Sequence, residues 1–191
     1  MRIVFCGVGA LGSQAAVFCR NLDGPLVFVD FDRVESKNLL AQAFVKQSIG
    51  KNKADALRLQ MLNLWGTKCE AFGVRLAREN VGEVLRGAEL LVDCFDNLAG
   101  RALLSEHARG TDVPLVHAAL SADGTVGLVR WDARFVADPE DVEGQATCEG
   151  GDHLPLIGLL ASTLARAIQD FVRTRAEGDY LVSLRGVTAT W

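Results

Sequence analysis

The sequence has no excess of basic charge. Its 20 Lys and Arg face 24 Asp and Glu in 191 residues, a formal net charge of −4. That balance leaves no electrostatic footprint for a phosphate backbone, so no nucleic-acid partner is expected. No apolar run approaches the ~18 residues of a membrane span, so no membrane association is expected. The five cysteines (Cys6, Cys19, Cys69, Cys94, Cys148) are odd in number and contain no C-x-x-C pair. Disulfide scaffolds and zinc ribbons are thereby left without support, and a reducing cytoplasm fits best. A strand begins directly after Met1 and Arg2, so no signal peptide is expected. Internal repeats and low-complexity stretches are lacking too. What remains, 49% hydrophobic and 23% charged residues, is ordinary globular composition. The length suits one domain over 1–191 with a substantial core.

The chain is organised around its start. Ile3, Val4 and Phe5 form an apolar run suited to a buried parallel strand. Gly7, Gly9 and Gly12 follow at G-x-G-x-x-G spacing, with Ala10 and Leu11 opening an Ala-rich helix expected over Leu11–Asn21. The first Gly permits a tight turn, the second lets a phosphate reach the backbone, and the third lets helix and strand pack closely. A second strand, Leu26–Phe31, contains Asp30, placed where an acid would hold a ribose hydroxyl. A glycine turn can also pack without a ligand. Strand, helix and acid together point to a nucleotide.

Further along, Asp30–Gln42 reads as a polar loop leading into a short helix, and Gly50–Leu64 as a helix. Strands are expected at Thr67–Val74, Glu89–Cys94 and Pro114–Ala119, with helices at Asn80–Leu85 and Ala99–Arg109 between them. Gly124–Trp131 alternates like an antiparallel addition. Asp132–Asp152 is acidic, contains Gly and lacks periodicity, which predicts a mobile crossover loop. Leu154–Val172 predicts a long apolar helix against the sheet or a second subunit, and Asp179–Trp191 one more strand. The fold class is α/β: a Rossmann-like, mostly parallel sheet with helices on both faces and an antiparallel extension.

Four stretches read as one site. Beside the glycine amides and Asp30, Lys53 stands ready to neutralise a phosphate. Asp96, at the end of the fourth strand, is placed to hold a phosphate-bridging metal ion. Each also has a plainer reading. Lys51 and Lys53 alone are a solvated helix face, Asp96-Asn97 a helix cap, and Asp32 and Glu35 loop surface or local hydrogen-bonding groups. Taken jointly, the residues suit ATP and magnesium better than a nicotinamide.

G-V-G-A-L-G-S (7–13), V-D-F-D-x-V-E-x-x-N-L-x-x-Q (29–42), I-G-K-x-K-A (49–54) and D-C-F-D-N-x-x-x-R (93–101) occur in that order. T-C-E-G-G (147–151) and L-P-L-I-G (154–158) follow. The set resembles the ThiF/MoeB/HesA family of ubiquitin-activating-like adenylyltransferases. The resemblance implies activation of a C-terminal carboxylate, usually the Gly-Gly end of a small β-grasp carrier protein or a peptide, as an acyl-adenylate. By position it puts Gly7, Gly9, Ala10, Leu11 and Gly12 against the nucleotide and Asp30 on the ribose. Asp32 lies among the same contacts. Asn38, Gln42 and Lys53 would face the phosphates, Asp96 would bind Mg2+, and Asn97 would lie beside the adenosine. Lys53 and Asp96 are thus the expected catalytic groups. Cys148 matches a family cysteine that receives the acyl group or exchanges sulfur in some members, although the same residue also reads as an unreactive loop cysteine. The resemblance further implies a homodimer.

Three departures stand out. Ala41 occupies the place of a family arginine over the phosphates. The paired C-x-x-C motifs are missing, so no structural zinc is expected. The chain starts at the first strand, without the N-terminal helices that carry a further arginine in relatives. A degenerate binding module that recruits a partner is therefore the alternative to an enzyme. A nicotinamide-dependent oxidoreductase would leave Asn38, Gln42, Lys53 and Asp96 without a task.

Overall fold

The computed structural model describes residues 1–121, 123–136, 151 and 153–190. Alternation along the first strand, β1 (Ile3–Cys6), sets the layers: Ile3 and Phe5 enter one core, Val4 and Cys6 the other. Fully buried parallel strands have this all-apolar character because helices cover both faces. Around β1 lie β2 (Leu26–Val29), β3 (Cys69–Phe72), β4 (Leu90–Asp93) and β5 (Leu115–Leu120), all parallel. Then β6 (Val126–Trp131), β7 (Tyr180–Ser183) and β8 (Gly186–Ala189) continue the sheet antiparallel, in the order β3-β2-β1-β4-β5-β6-β7-β8.

Helices α1 (Ala10–Phe18), α2 (Lys53–Trp65) and α5 (Leu154–Thr174) pack on the Phe5 side. Helices α3 (Val81–Val84) and α4 (Leu98–Thr111) cover the Val4 side. The chain leaves β1 toward β2 and later returns to β4 on the other flank. The carboxyl ends of β1 and β4 therefore flank a topological switch point, where open α/β sheets bind ligands.

Helix α2 starts three residues later than the apolar pattern suggests. Gly50 sits at φ +84°, and the Asn52 side chain caps the helix by accepting from Asp55 N at 3.1 Å. Lys53 thereby becomes its first residue. The tail forms two strands rather than one. The second, β8, is exposed along its whole length and so carries no apolar run for a pattern to reveal.

Helix α5 is the long apolar helix expected at Leu154–Val172. It is long and apolar enough by length and composition to cross a bilayer, but Leu156, Ile157, Leu160, Ala161, Leu164 and Ile168 are buried against α1 and the sheet. Of the two coverings the sequence left open, the sheet or a second subunit, the sheet and α1 take this face.

Cys6 and Cys19 are buried in the core, and Cys69 and Cys94 are partly buried against it. Burial holds the thiols of Cys6 and Cys94 well above the ordinary range and pushes Cys19 up to about 12. Half-buried Cys69 is raised to about 11, again chiefly by burial. A brief iodoacetamide pulse on the folded protein at pH 7.5 should leave these four unmodified by mass spectrometry, because the reactive form is the thiolate. Rapid labelling of Cys94 would contradict that description.

Candidate active site

The glycine turn begins where β1 ends. Gly7 N donates to Val29 O at 2.9 Å, and Gly7 takes φ +86°. A Cβ on Gly7 would press against the Cys94 carbonyl, and one on Gly12 would overlap the Gly7 carbonyl oxygen. On Gly9 it would meet nothing within 4 Å. The outer two glycines serve close packing, while the middle one faces open space. Ala10 and Leu11 start α1 there, and no side chain caps that helix. Its first amides are left for an anion.

Asp30 locks onto this turn. Its Oδ2 accepts from Val8 N at 2.8 Å and its Oδ1 from Asp32 N at 2.9 Å. Burial raises its carboxyl above the usual range, against the pull of those amides and of Lys53. Asp32 is a hydrogen-bonding group on the loop surface: its Oδ2 receives Lys53 Nζ at 3.0 Å. Lys53 is only 8% exposed, whereas Lys51 is exposed, so only Lys51 fits the solvated-face reading.

Asn52, to which the sequence reading assigned no role, does the placing. Its Nδ2 donates to Asp30 O at 2.8 Å and to Asp32 O at 3.1 Å, and Lys53 N donates to Asp32 O at 2.8 Å. A helix-capping residue just ahead of the lysine was its one sequence signal.

Residues 36–43 lie over the start of α1. Gln14 Nε2 donates to Ala41 O at 2.7 Å, and Ala43 N donates to Ser13 Oγ at 2.9 Å. Buried Asn38 braces this turn by accepting from Glu35 N at 2.8 Å. The Gln42 Oε1 is buried with no hydrogen-bond partner among the described residues. Ala41, 3% exposed, packs with Ala10 and Ile157 in a small apolar cluster.

On the other side of the switch point, Cys94 N donates to Cys6 O at 2.9 Å, holding the 93–97 turn beside the glycines. Asp96 is exposed and accepts from Asn97 Nδ2 at 3.3 Å. Asn97 caps α4, accepting from Gly100 N at 2.8 Å, as its plainer reading expected. Among the described residues, no group of three or more His, Cys, Asp or Glu side chains is placed to hold a metal. A cation here would take the Asp96 carboxylate and complete its shell with phosphates and water, a habit of Mg2+. Cys148 lies outside the described residues. A cleft of about 470 Å³ lies not over the glycines but along α4, lined by Arg101, Ser105, Arg109 and Phe135 among others.

A glycine turn, an acid on its amides, a buried lysine and a carboxylate turn therefore meet at one edge. The ThiF family model matches residues 1–178. The chain belongs to the ThiF family. This ThiF-family chain is 36% identical over 131 residues to a sulfur carrier protein adenylyltransferase of Thermus thermophilus, covering 66% of the chain and 48% of the relative. It is 34% identical over 122 residues to the SAMP-activating enzyme E1 of Haloferax volcanii, covering 62% and 45%. The chain thus spans under half the length of these curated relatives. In fold it resembles E. coli MccB solved with ATP, at a TM-score of 0.78 and 14% identity over 99% of this chain and 63% of that one. A structure of MccB with N-formylated MccA gives a TM-score of 0.80 at 14% identity, covering 99% and 64%.

Proposed function

We propose that the chain is an ATP- and magnesium-dependent adenylyltransferase that activates the C-terminal carboxylate of a small ubiquitin-like sulfur carrier or a peptide. The observation that carries this is the continuous set of contacts from Val8 through Asp30 and Asp32 to Lys53, beside the free space over Gly9. The names of the curated relatives support the same chemistry. In the reaction, a carboxylate oxygen bonds to the α-phosphorus while the bond to the bridging oxygen breaks. Pyrophosphate leaves, and an acyl-adenylate remains.

The protein's part is positioning and charge neutralisation. Amides at Gly9–Gly12 hold phosphate oxygens, and Asp30 holds the ribose. Lys53 exchanges Asp32 for the polyphosphate, and Gln42 offers its free acceptor to a donor on the nucleotide or a bound water. Mg2+ at Asp96 would neutralise the departing pyrophosphate. The protein works in the cytoplasm, as a homodimer in this reading.

Exchange of labelled pyrophosphate into ATP that requires a partner ending in a free Gly-Gly carboxylate is the expected result. No exchange with such partners, while ATP binds, would contradict it. Ala41 in its apolar cluster favours one second reading, a binding module without catalysis. That reading predicts carrier affinity with no exchange under any condition.

Asp30→Asn tests the ribose contact. Hydrogen bonds to charged groups are worth about 1.5–3 kcal/mol, so ATP affinity should fall by about 10- to 100-fold. Calorimetry with ATP and with 2′,3′-dideoxy-ATP checks it. Asp30→Asn also sets an amide NH2 against Val8 N or Asp32 N and so loosens the turn for both compounds, but it should weaken ATP more and erase the preference for ATP over the dideoxy compound.

A further inference from the structure

His117 on β5 is fully buried, and the reading of the motifs has no use for it. Its Nδ1 lies 2.7 Å from Asp93 Oδ2, and its Nε2 lies 3.1 Å from Asp132 Oδ1. Ionised carboxylates only accept, so both contacts are hydrogen bonds only when the ring carries two protons. Phe135 stacks on the ring at 3.9 Å and 10° and fixes its plane. The parallel register of β4 and β5 sets Asp93 opposite His117, which explains why residues 24 apart in sequence meet.

Each carboxylate has a further duty. Asp93, also fully buried, accepts Phe95 N on Oδ1 at 2.9 Å and Arg101 on Oδ2 at 2.9 Å. Arg101 in turn donates to the carbonyls of Phe95 and Ala118. Asp93 is therefore the base of the turn that presents Asp96. Asp132, just past β6, accepts Arg109 Nε at 2.7 Å. Burial opposes its ionisation, but hydrogen bonds from Ser105, Arg109 and His117 outweigh it and hold the carboxyl below the usual range. A buried histidine that only filled space would need neither carboxylate, and holding Asp93 fully buried is costly unless it is paired.

We propose that His117 is a positioning residue that joins Asp93 to Asp132, so that the packing of residues 132–135 sets the geometry of the Asp96 turn. The proposal rests on the reading of Asp96 as the magnesium carboxylate only for its consequence, not for its mechanics. Groups that orient a metal ligand are typically worth about 10- to 100-fold in metal affinity. Loosening the link should therefore weaken ATP binding only where Mg2+ takes part.

Amide hydrogen exchange on the full chain without ligand tests the mechanics. Asp132→Asn lies at the rim of the sheet and removes one of the two charges facing the ring, with little risk to the fold. Exchange at Phe95 should speed up about fivefold or more, as expected for loss of roughly one hydrogen bond, while β1 and α5 amides keep their rates. His117→Gln should do the same, and the double variant should add nothing to the larger single effect. Unchanged exchange at Phe95–Asn97 in Asp132→Asn would overturn the proposal, as would fully additive effects in the double variant.

Calorimetry of ATP with and without Mg2+ then reads the consequence. Asp132→Asn should cut the Mg2+-dependent gain in affinity about tenfold and leave metal-free ATP binding alone. A wild-type chain that binds no ATP would refute the proposed function but leave the exchange result standing.

Discussion

Gly9→Ala should fold as the wild type does and lose its nucleotide, whereas Gly12→Ala should scarcely fold. The two positions lie three residues apart in one motif, and only the space around them separates the outcomes. At Gly9 φ is −73°, outside the left-handed region, and a new Cβ has no neighbour within 4 Å. Its Tm should fall far less than that of Gly12→Ala. The methyl group, however, stands where a phosphate must approach the amides, so ATP affinity should drop about 100-fold, the scale of losing charge-assisted hydrogen bonds. At Gly12 the methyl group overlaps the Gly7 carbonyl oxygen, which is backbone and cannot swing away. Overpacking of that kind costs about 1–3 kcal/mol or more, a large share of a domain's total stability. Thermal unfolding and ATP calorimetry on the pair check both claims. Equal loss of stability at the two positions would contradict the assignment of the open space to a ligand.

Lys53→Met should cut adenylation by about 10²- to 10³-fold, the usual scale for removing one preorganised donor to a developing charge. Methionine keeps the apolar stem of the buried side chain, and Asp32, whose side chain is 48% exposed, can turn to water. Stability should therefore change by no more than about 1 kcal/mol. The loss should fall mainly on kcat, because the lysine's charge matters most as negative charge shifts onto pyrophosphate. Pyrophosphate-exchange kinetics give the split. A rise in KM alone would make Lys53 a binding group only.

How much of this was legible in the sequence follows from the range of each interaction. The glycine turn, Asp30 and the apolar strands are local patterns, and they stand where spacing put them. Lys53 was identified, but its burial was not, because that depends on Asn52 reaching back to the carbonyls of Asp30 and Asp32 across some twenty residues. His117 carried no motif at all. It joins Asp93 and Asp132 only because β4, β5 and β6 pair in one register. The β8 strand escaped notice because an exposed edge needs no apolar alternation. For helix α5 the apolar face is plain in the sequence, but which of the two expected coverings it takes, the sheet or a second subunit, is a fact of tertiary packing.

The central claim is that one nucleotide lies across the carboxyl ends of β1 and β4. Backbone amide chemical shifts of the labelled protein, followed by NMR as ATP and Mg2+ are added, test it most directly. The account predicts large shifts confined to Gly7–Gly12, Asp30–Asp32, Asn38–Gln42, Lys53 and Phe95–Asn97. Shifts centred on the α4 cleft around Arg109, or none at millimolar ATP, would contradict it.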